Sequence, residues 1–124
     1  MYEVGVVDQF EAAHRLQGNF GPATRRHGHT YRVELRVRGA ALAADGTLCD
    51  IGQLGDGLRA ALGALNYQDL DELPAFSGRN TTAEAVATHI LQAVRGRITT
   101  AGLKSIAVLV WESPSAFASY EEEL

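Results

Sequence analysis

Three of the four histidines in the chain, His14, His27 and His29, fall within sixteen residues at a spacing that suits a metal site. His27 and His29 are two apart, so on a strand they project from one face. His14 closes an alternating row, Val4, Val6, Phe10, Ala12, His14, and a hairpin return through Gly18 to Pro22 would bring it opposite that pair. Three neutral imidazoles without a fourth protein ligand suit a divalent ion, zinc most often, with one position open to water or substrate. The opposing reading is a pair of half-buried, hydrogen-bonded histidines near a strand start. His89, in the middle of a helical pattern, reads as a surface residue.

Glu112 ends an apolar row, an odd place for a carboxylate. Either the strand has emerged into solvent, or the carboxylate lies at a pocket floor and accepts paired N–H groups from a heterocycle with an amidine-like edge. Arg25 and Arg26, just before the histidine pair, are placed to meet an anionic group, although arginines in a polar loop are usually solvated. Asp69, Asp71 and Glu72 form an acidic loop. Cys49 reads as a small core residue, and no nucleophile is evident.

The elements that must position these residues follow from periodicity. Residues 2–14 read as one strand. His29–Arg38 reads as a second, with Tyr31, Val33, Leu35 and Val37 on the core face and Arg32, Glu34, Arg36 and Arg38 on the wet face. His27 and His29 belong to the core-facing series, which is a pocket position. Ala43 to Gly46 signals a turn, and Thr47–Asp50 reads as a short returning strand. From Ile51 the period changes to that of an amphipathic helix (Ile51, Leu54, Leu58, Ala61, Leu62, Leu65), with Asp50 as its N-cap. A loop with Pro74 and Gly78 follows. Thr81-Thr82-Ala83-Glu84 has capping-box spacing and opens a second helix that ends near Gly96. Lys104–Glu112 alternates again, followed by a short edge strand around Phe117–Tyr120 and an acidic, mobile tail. This order predicts an α+β domain with two helices on one face of an antiparallel sheet. Its open edges invite pairing with other copies.

Composition bounds the rest. At 124 residues and 46% hydrophobic content, residues 1–124 read as one domain with its own core. A formal charge of -4, with no Lys/Arg-rich run, argues against a nucleic-acid surface. No long apolar stretch points to a membrane, and the strand-like start lacks the features of a signal peptide, so a cytoplasmic location is expected. A single cysteine excludes both a disulfide framework and a cysteine-rich zinc site.

The segments Phe10-Glu-Ala-Ala-His14, His27-Gly-His29-Thr-Tyr31, Cys49-Asp50-Ile51, Leu65 to Pro74, Asn80-Thr-Thr-Ala-Glu84 and Val110-Trp-Glu112 fall in a familiar order. Across nearly the whole chain it resembles the family of 6-pyruvoyl-tetrahydropterin synthase and the QueD-type 6-carboxytetrahydropterin synthase of queuosine biosynthesis. The resemblance implies a tunnelling fold (T-fold) whose subunits assemble around a central β-barrel, commonly trimers stacked into hexamers, with active sites at subunit boundaries. It implies that His14, His27 and His29 hold zinc. It also implies that Glu112 anchors the 2-amino-4-oxo edge of a pterin, helped by groups around Thr81 and Thr82. The family substrate is 7,8-dihydroneopterin triphosphate.

The chain departs from that pattern where protons move. Ala23 stands four residues before His27, where family members carry a catalytic cysteine. Leu65-Asn66-Tyr67 replaces the family's Leu-Asp-His. Tyr67 is the residue here best suited to take over proton transfer, since a nearby cation depresses a phenol's pKa. Thr24, Asp69 and Asp71 are weaker candidates. The expected function is a zinc-dependent, 6-carboxytetrahydropterin synthase-like lyase with relocated acid and base groups. The alternative is a non-catalytic T-fold protein that binds a pterin or purine and keeps zinc and the Glu112 anchor.

Overall fold

The alternation of apolar and polar residues produces two thirteen-residue strands, β1 (Tyr2–His14) and β2 (His27–Gly39), paired antiparallel along their whole length. The structure, a computed structural model, describes residues 1–124. The register sets Phe10 opposite Tyr31, Ala12 opposite His29 and His14 opposite His27. Because side chains alternate with period two, this register puts all three histidines on the core side at one end of the sheet.

The remaining elements are α1 (Ile51–Gly63), β3 (Gln68–Asp69), α2 (Ala83–Arg95), β4 (Ser105–Ser113) and β5 (Ala116–Glu123). The sheet order is β3-β1-β2-β4-β5, antiparallel except for the short β1·β3 pair. Both helices lie on one face, over a core that includes Val33, Leu35, Leu58, Ile90 and Val108. Asp50 caps α1 by accepting from the backbone N–H groups of Gly52 and Gln53, and Thr82 caps α2 by accepting from Ala85. Gly57 fits the close approach of the α1 surface to the segment after α2: a Cβ there would meet Ile98 Cγ2 at 3.0 Å. The opposite sheet face is polar, with Trp111 donating its indole N–H to Glu34 at 2.7 Å and Arg36 pairing with the same carboxylate at 3.1 Å.

The structure corrects five local expectations. Thr47–Asp50 is not a strand, because Asp45 Oδ1 accepts from both the backbone and hydroxyl of Thr47, and Asp50 turns to cap α1. These side chains compete with a ladder for the backbone donors. The acidic C-terminus is not a mobile tail: β5 runs to Glu123, and the Glu122 carboxylate accepts from Arg95, Gln92 and Tyr120. β2 starts two residues earlier than its alternation suggested, at His27, so the histidine pair itself is paired with β1. Ile51, at the first position of α1, stands 56% exposed, and helix burial starts at Leu54.

The fifth correction is His89, which is half-buried against Phe76, with ring centroids 5.0 Å apart. Burial, reinforced by the Arg79 guanidinium, holds its imidazole below the ordinary value of 6.5. Protonation therefore favours the unfolded chain. The stability that neutral His89 contributes is whole above pH 6.5 and declines as the pH falls below it. The variant His89→Gln is expected to show a shallower decline in urea midpoint than the wild type between about pH 7 and about pH 5. Identical slopes for the two proteins would show that His89 does not titrate with folding.

Candidate metal centre

The β1·β2 register delivers the imidazoles of His14, His27 and His29 to one point, with their candidate ligand atoms all within 4.8 Å of one another. The rings meet edge to face, at centroid separations of 4.6, 5.1 and 4.8 Å. Two of them are held in a defined tautomer. His14 Nδ1 lies 2.8 Å from the carbonyl oxygen of Thr81, and His27 Nδ1 lies 2.7 Å from that of Arg25. A carbonyl only accepts, so both Nδ1 atoms carry the proton and both Nε2 atoms present a lone pair.

Nε2 of His14 and Nε2 of His29 are enclosed and make no hydrogen bond within the chain. Burial holds both rings below the ordinary 6.5; for His29, the neighbouring His14 and His27 push in the same direction. At neutral pH these are neutral imidazoles with bare nitrogens facing one another. An arrangement that is costly when unpaired becomes favourable around a cation, and zinc accepts such nitrogens at about 2.0–2.1 Å. The residues therefore fit a divalent metal of the zinc type.

An outer layer steadies His14. Thr81 is fully buried and its hydroxyl donates to Asp71 Oδ1 at 2.9 Å, while Asp71 Oδ2 accepts from the Arg15 backbone at 2.8 Å. Asn80 bridges the same two segments, accepting from Gln17 N–H and donating to Gln17 carbonyl, both at 2.9 Å. The result ties the end of β1 to the start of α2, with the His14 ring clamped between them. A carbonyl or carboxylate behind a ligating histidine is the usual means of fixing its orientation.

Glu112, at the end of β4, brings a carboxylate oxygen within 3.6 Å of His29 Nε2, with its side chain 36% exposed. The carboxylate thus borders the three-histidine cluster and still faces solvent. On the inner side Tyr31 is buried to 1% exposure, stacked on Phe10 at 4.7 Å, with its ring 5.2 Å from that of His29. Burial pushes its phenol well above the ordinary range, and the charges of Glu112 and Asp71 add to the effect.

Tyr67 stands apart from this corner. It lines an open cleft of about 520 Å³ together with Glu11, His29, Thr30 and Asp69, and is itself 78% exposed. It is the only non-glycine residue with positive φ, at 58°, held there by its N–H donating to the Glu11 carbonyl at 2.6 Å. The neighbouring Asn66 accepts from Glu11 N–H at 2.9 Å and so serves the backbone. Thr82 spends its hydroxyl as the α2 cap. Asp69 is paired with Arg26 at 2.8 Å, which occupies the arginine that was a candidate for an anionic group. Arg25 contributes its carbonyl to His27, and the Thr24 hydroxyl donates to Gly21. Cys49 lies half-buried against the core.

The role of Asp71 and of the Thr81 carbonyl behind His14 was not legible from residue types. A backbone carbonyl carries no sequence signal, and an acidic loop far along the chain looks like surface. Tyr31 was visible only as a core-facing aromatic.

Residues 3–123 match the model of the family described as 6-pyruvoyl tetrahydropterin synthase. Among characterised proteins, the 6-carboxy-5,6,7,8-tetrahydropterin synthase of Haemophilus influenzae is 22% identical over 143 residues, covering 98% of this chain and all (100%) of that protein. The solved structure of Caenorhabditis elegans 6-pyruvoyl tetrahydropterin synthase superimposes with a TM-score of 0.85 at 23% identity, covering 98% of this chain and 95% of that one. That of the Plasmodium vivax 6-pyruvoyl tetrahydropterin synthase gives 0.82 at 20% identity, with complete coverage (100%) of both chains. At such identities the structural likeness establishes the fold, and the subunit has the tunnelling-fold architecture.

Proposed function

The chain belongs to the 6-pyruvoyl tetrahydropterin synthase family, and from that premise we propose that it is a zinc-dependent lyase of the 6-carboxytetrahydropterin synthase type. Its substrate in this reading is 7,8-dihydroneopterin triphosphate or a related dihydropterin. The observation that carries the reading is the pairing of bare, buried imidazole nitrogens on His14 and His29 with a carboxylate, Glu112, 3.6 Å from one of them. His14, His27 and His29 would hold the ion. When bound, zinc stabilises negative charge on a substrate oxygen and lowers that oxygen's pKa.

The chain's own residues divide the remaining work. Glu112 accepts two parallel N–H bonds from the 2-amino edge of the pterin, a charge-assisted contact that orients the ring. Thr81 enters as the residue that orients His14, and Thr82 as the cap that fixes the start of α2, since both hydroxyls are already engaged within the chain. Tyr67 holds and moves the proton, from the rim of the cleft it shares with His29. Its exposure suits a site completed by a second copy. β3 covers only Ala12 and Ala13 of β1, and β5 ends the sheet on the other side, so two long edges stand open. Pairing of these edges between subunits, as a trimer or hexamer, would close the sheets into a barrel and bury both.

Metal analysis followed by incubation of the zinc-loaded protein with 7,8-dihydroneopterin triphosphate, and separately with 7,8-dihydroneopterin, tests the activity by mass spectrometry of the products. A pterin product is expected from the triphosphate. In the same assays Glu112→Gln is expected to weaken pterin binding by about 10–100-fold, the value of a hydrogen-bonded charge, with zinc content unchanged. Pterin bound but not turned over, with binding lost in Glu112→Gln, would make the protein a binding module instead. Unaltered affinity in that variant would remove Glu112 as the anchor.

A further inference from the structure

The chain has three buried side-chain nitrogen or oxygen atoms with no hydrogen-bond partner: Nε2 of His14, Nε2 of His29 and the hydroxyl oxygen of Tyr31. All three belong to one corner. The Tyr31 ring stands edge-on to His29 at 5.2 Å and to His14 at 6.1 Å. An unpaired buried polar atom is destabilising, and three gathered in one place indicate a shared missing partner.

A metal ion satisfies the two imidazole nitrogens and leaves the phenol unpaired. Its presence is not explained by packing: the ring lies flat on Phe10, at 11° between planes, and a phenylalanine would make the same stack without burying an oxygen. Nor does the chain supply an acceptor. Asp71, one of the two carboxylates whose charge reaches the phenol, is committed to Thr81 and Arg15, and Glu112 turns toward His29. What remains is the molecule that enters beside the three histidines.

On the metal reading above, we infer that the Tyr31 hydroxyl donates a hydrogen bond to an oxygen atom of the ligand held at the three-histidine centre. Tyr31 is thus a specificity-determining residue, selecting ligands that place a hydroxyl or oxyanion oxygen there. A heterocycle without an oxygen-bearing side chain gains nothing from it.

The test compares cobalt-loaded wild type and Tyr31→Phe, using cobalt absorption and calorimetry. The probes are 7,8-dihydroneopterin, 6-methyl-7,8-dihydropterin, which lacks side-chain hydroxyls, and acetohydroxamate, an oxygen ligand with no pterin ring. Cobalt stoichiometry is expected to be equal. Affinity for dihydroneopterin and for acetohydroxamate is expected to fall about tenfold in the variant, the worth of one good hydrogen bond, with the methyl compound unaffected. Wild-type protein that binds acetohydroxamate but neither pterin would sink the pterin reading, while a tenfold loss of acetohydroxamate in the variant would still support Tyr31. Equal affinities of the two proteins for both oxygen ligands overturn the inference, as does a wild type that takes up no cobalt. Without metal or ligand, Tyr31→Phe is expected to melt at or above the wild-type temperature. A lower melting point would mean that the hydroxyl already has a partner in the chain, which also overturns it.

Discussion

Replacing His27 by alanine is expected to strip the protein of zinc and leave its fold in place. The His27 ring lies half-buried at the first position of β2, and its one hydrogen bond runs to a carbonyl two residues away. The packed core of that strand begins at Tyr31 and continues through Val33, Leu35 and Val37. Little cohesion is therefore lost with the ring. The metal, by contrast, loses one of three protein ligands. Removal of an outer partner behind a ligand costs about 10–100-fold in metal affinity, so removal of the ligand itself should cost at least about 100-fold. Metal content after dialysis, a zinc competition titration and the far-ultraviolet dichroism spectrum measure the outcome. Stoichiometric zinc retained by a folded His27→Ala protein would show that the three imidazoles are not the metal site.

The second large effect is expected at Tyr67. The variant Tyr67→Phe should fold and load zinc as the wild type does, but turn over dihydroneopterin triphosphate about 10²–10⁴-fold more slowly, the contribution typical of a positioned acid or base. The structural grounds are its place and its backbone. Tyr67 shares a cleft with His29, and its hydroxyl makes no hydrogen bond within the chain, so the substitution removes an oxygen and no contact. Its φ of 58° is unique among the non-glycine residues. Such a backbone costs about 1–3 kcal/mol and persists where the surroundings impose it, most often at functional sites. Here the imposing contact is the bond from its N–H to Glu11, on the strand that carries His14. Turnover unchanged in the variant would remove Tyr67 from the mechanism and move attention to Asp69 in the same cleft. A loss confined to KM, with kcat preserved, would make it a binding residue.

These two substitutions separate what the site inherits from its strands and what it draws from elsewhere. His27 lies on a strand whose alternation is written in its residues. Tyr67 lies in a connection after α1 that no periodicity describes. Ala23, where the family resemblance puts a cysteine, sits in a short helical turn between the first two strands and holds the chain there by accepting from Leu16 N–H at 2.8 Å. The departures from the family pattern are thus in connecting segments, and the three histidines that match it are on the sheet.

The amino-acid sequence alone determined the strands β1 and β4, the two helices and the face on which His14, His27 and His29 lie. Each rests on a local rule: period two for strands, period 3.6 for helices, and a capping side chain at Asp50 and Thr82. It also determined the family, because the histidine triad and Glu112 recur in a specific order along the chain. Tertiary structure alone decided how residues far apart meet. It put Glu112 beside His29, set the Thr81 carbonyl and Asp71 behind His14, and enclosed the Tyr31 hydroxyl without a partner. It also turned the acidic C-terminus into a full edge strand, since Arg95 and Gln92 of α2 receive the Glu122 carboxylate. The physical reason is the same in every case. Local propensity depends on neighbours a few residues away, whereas hydrogen bonds and buried charge depend on partners that only the packed sheet and helices bring together.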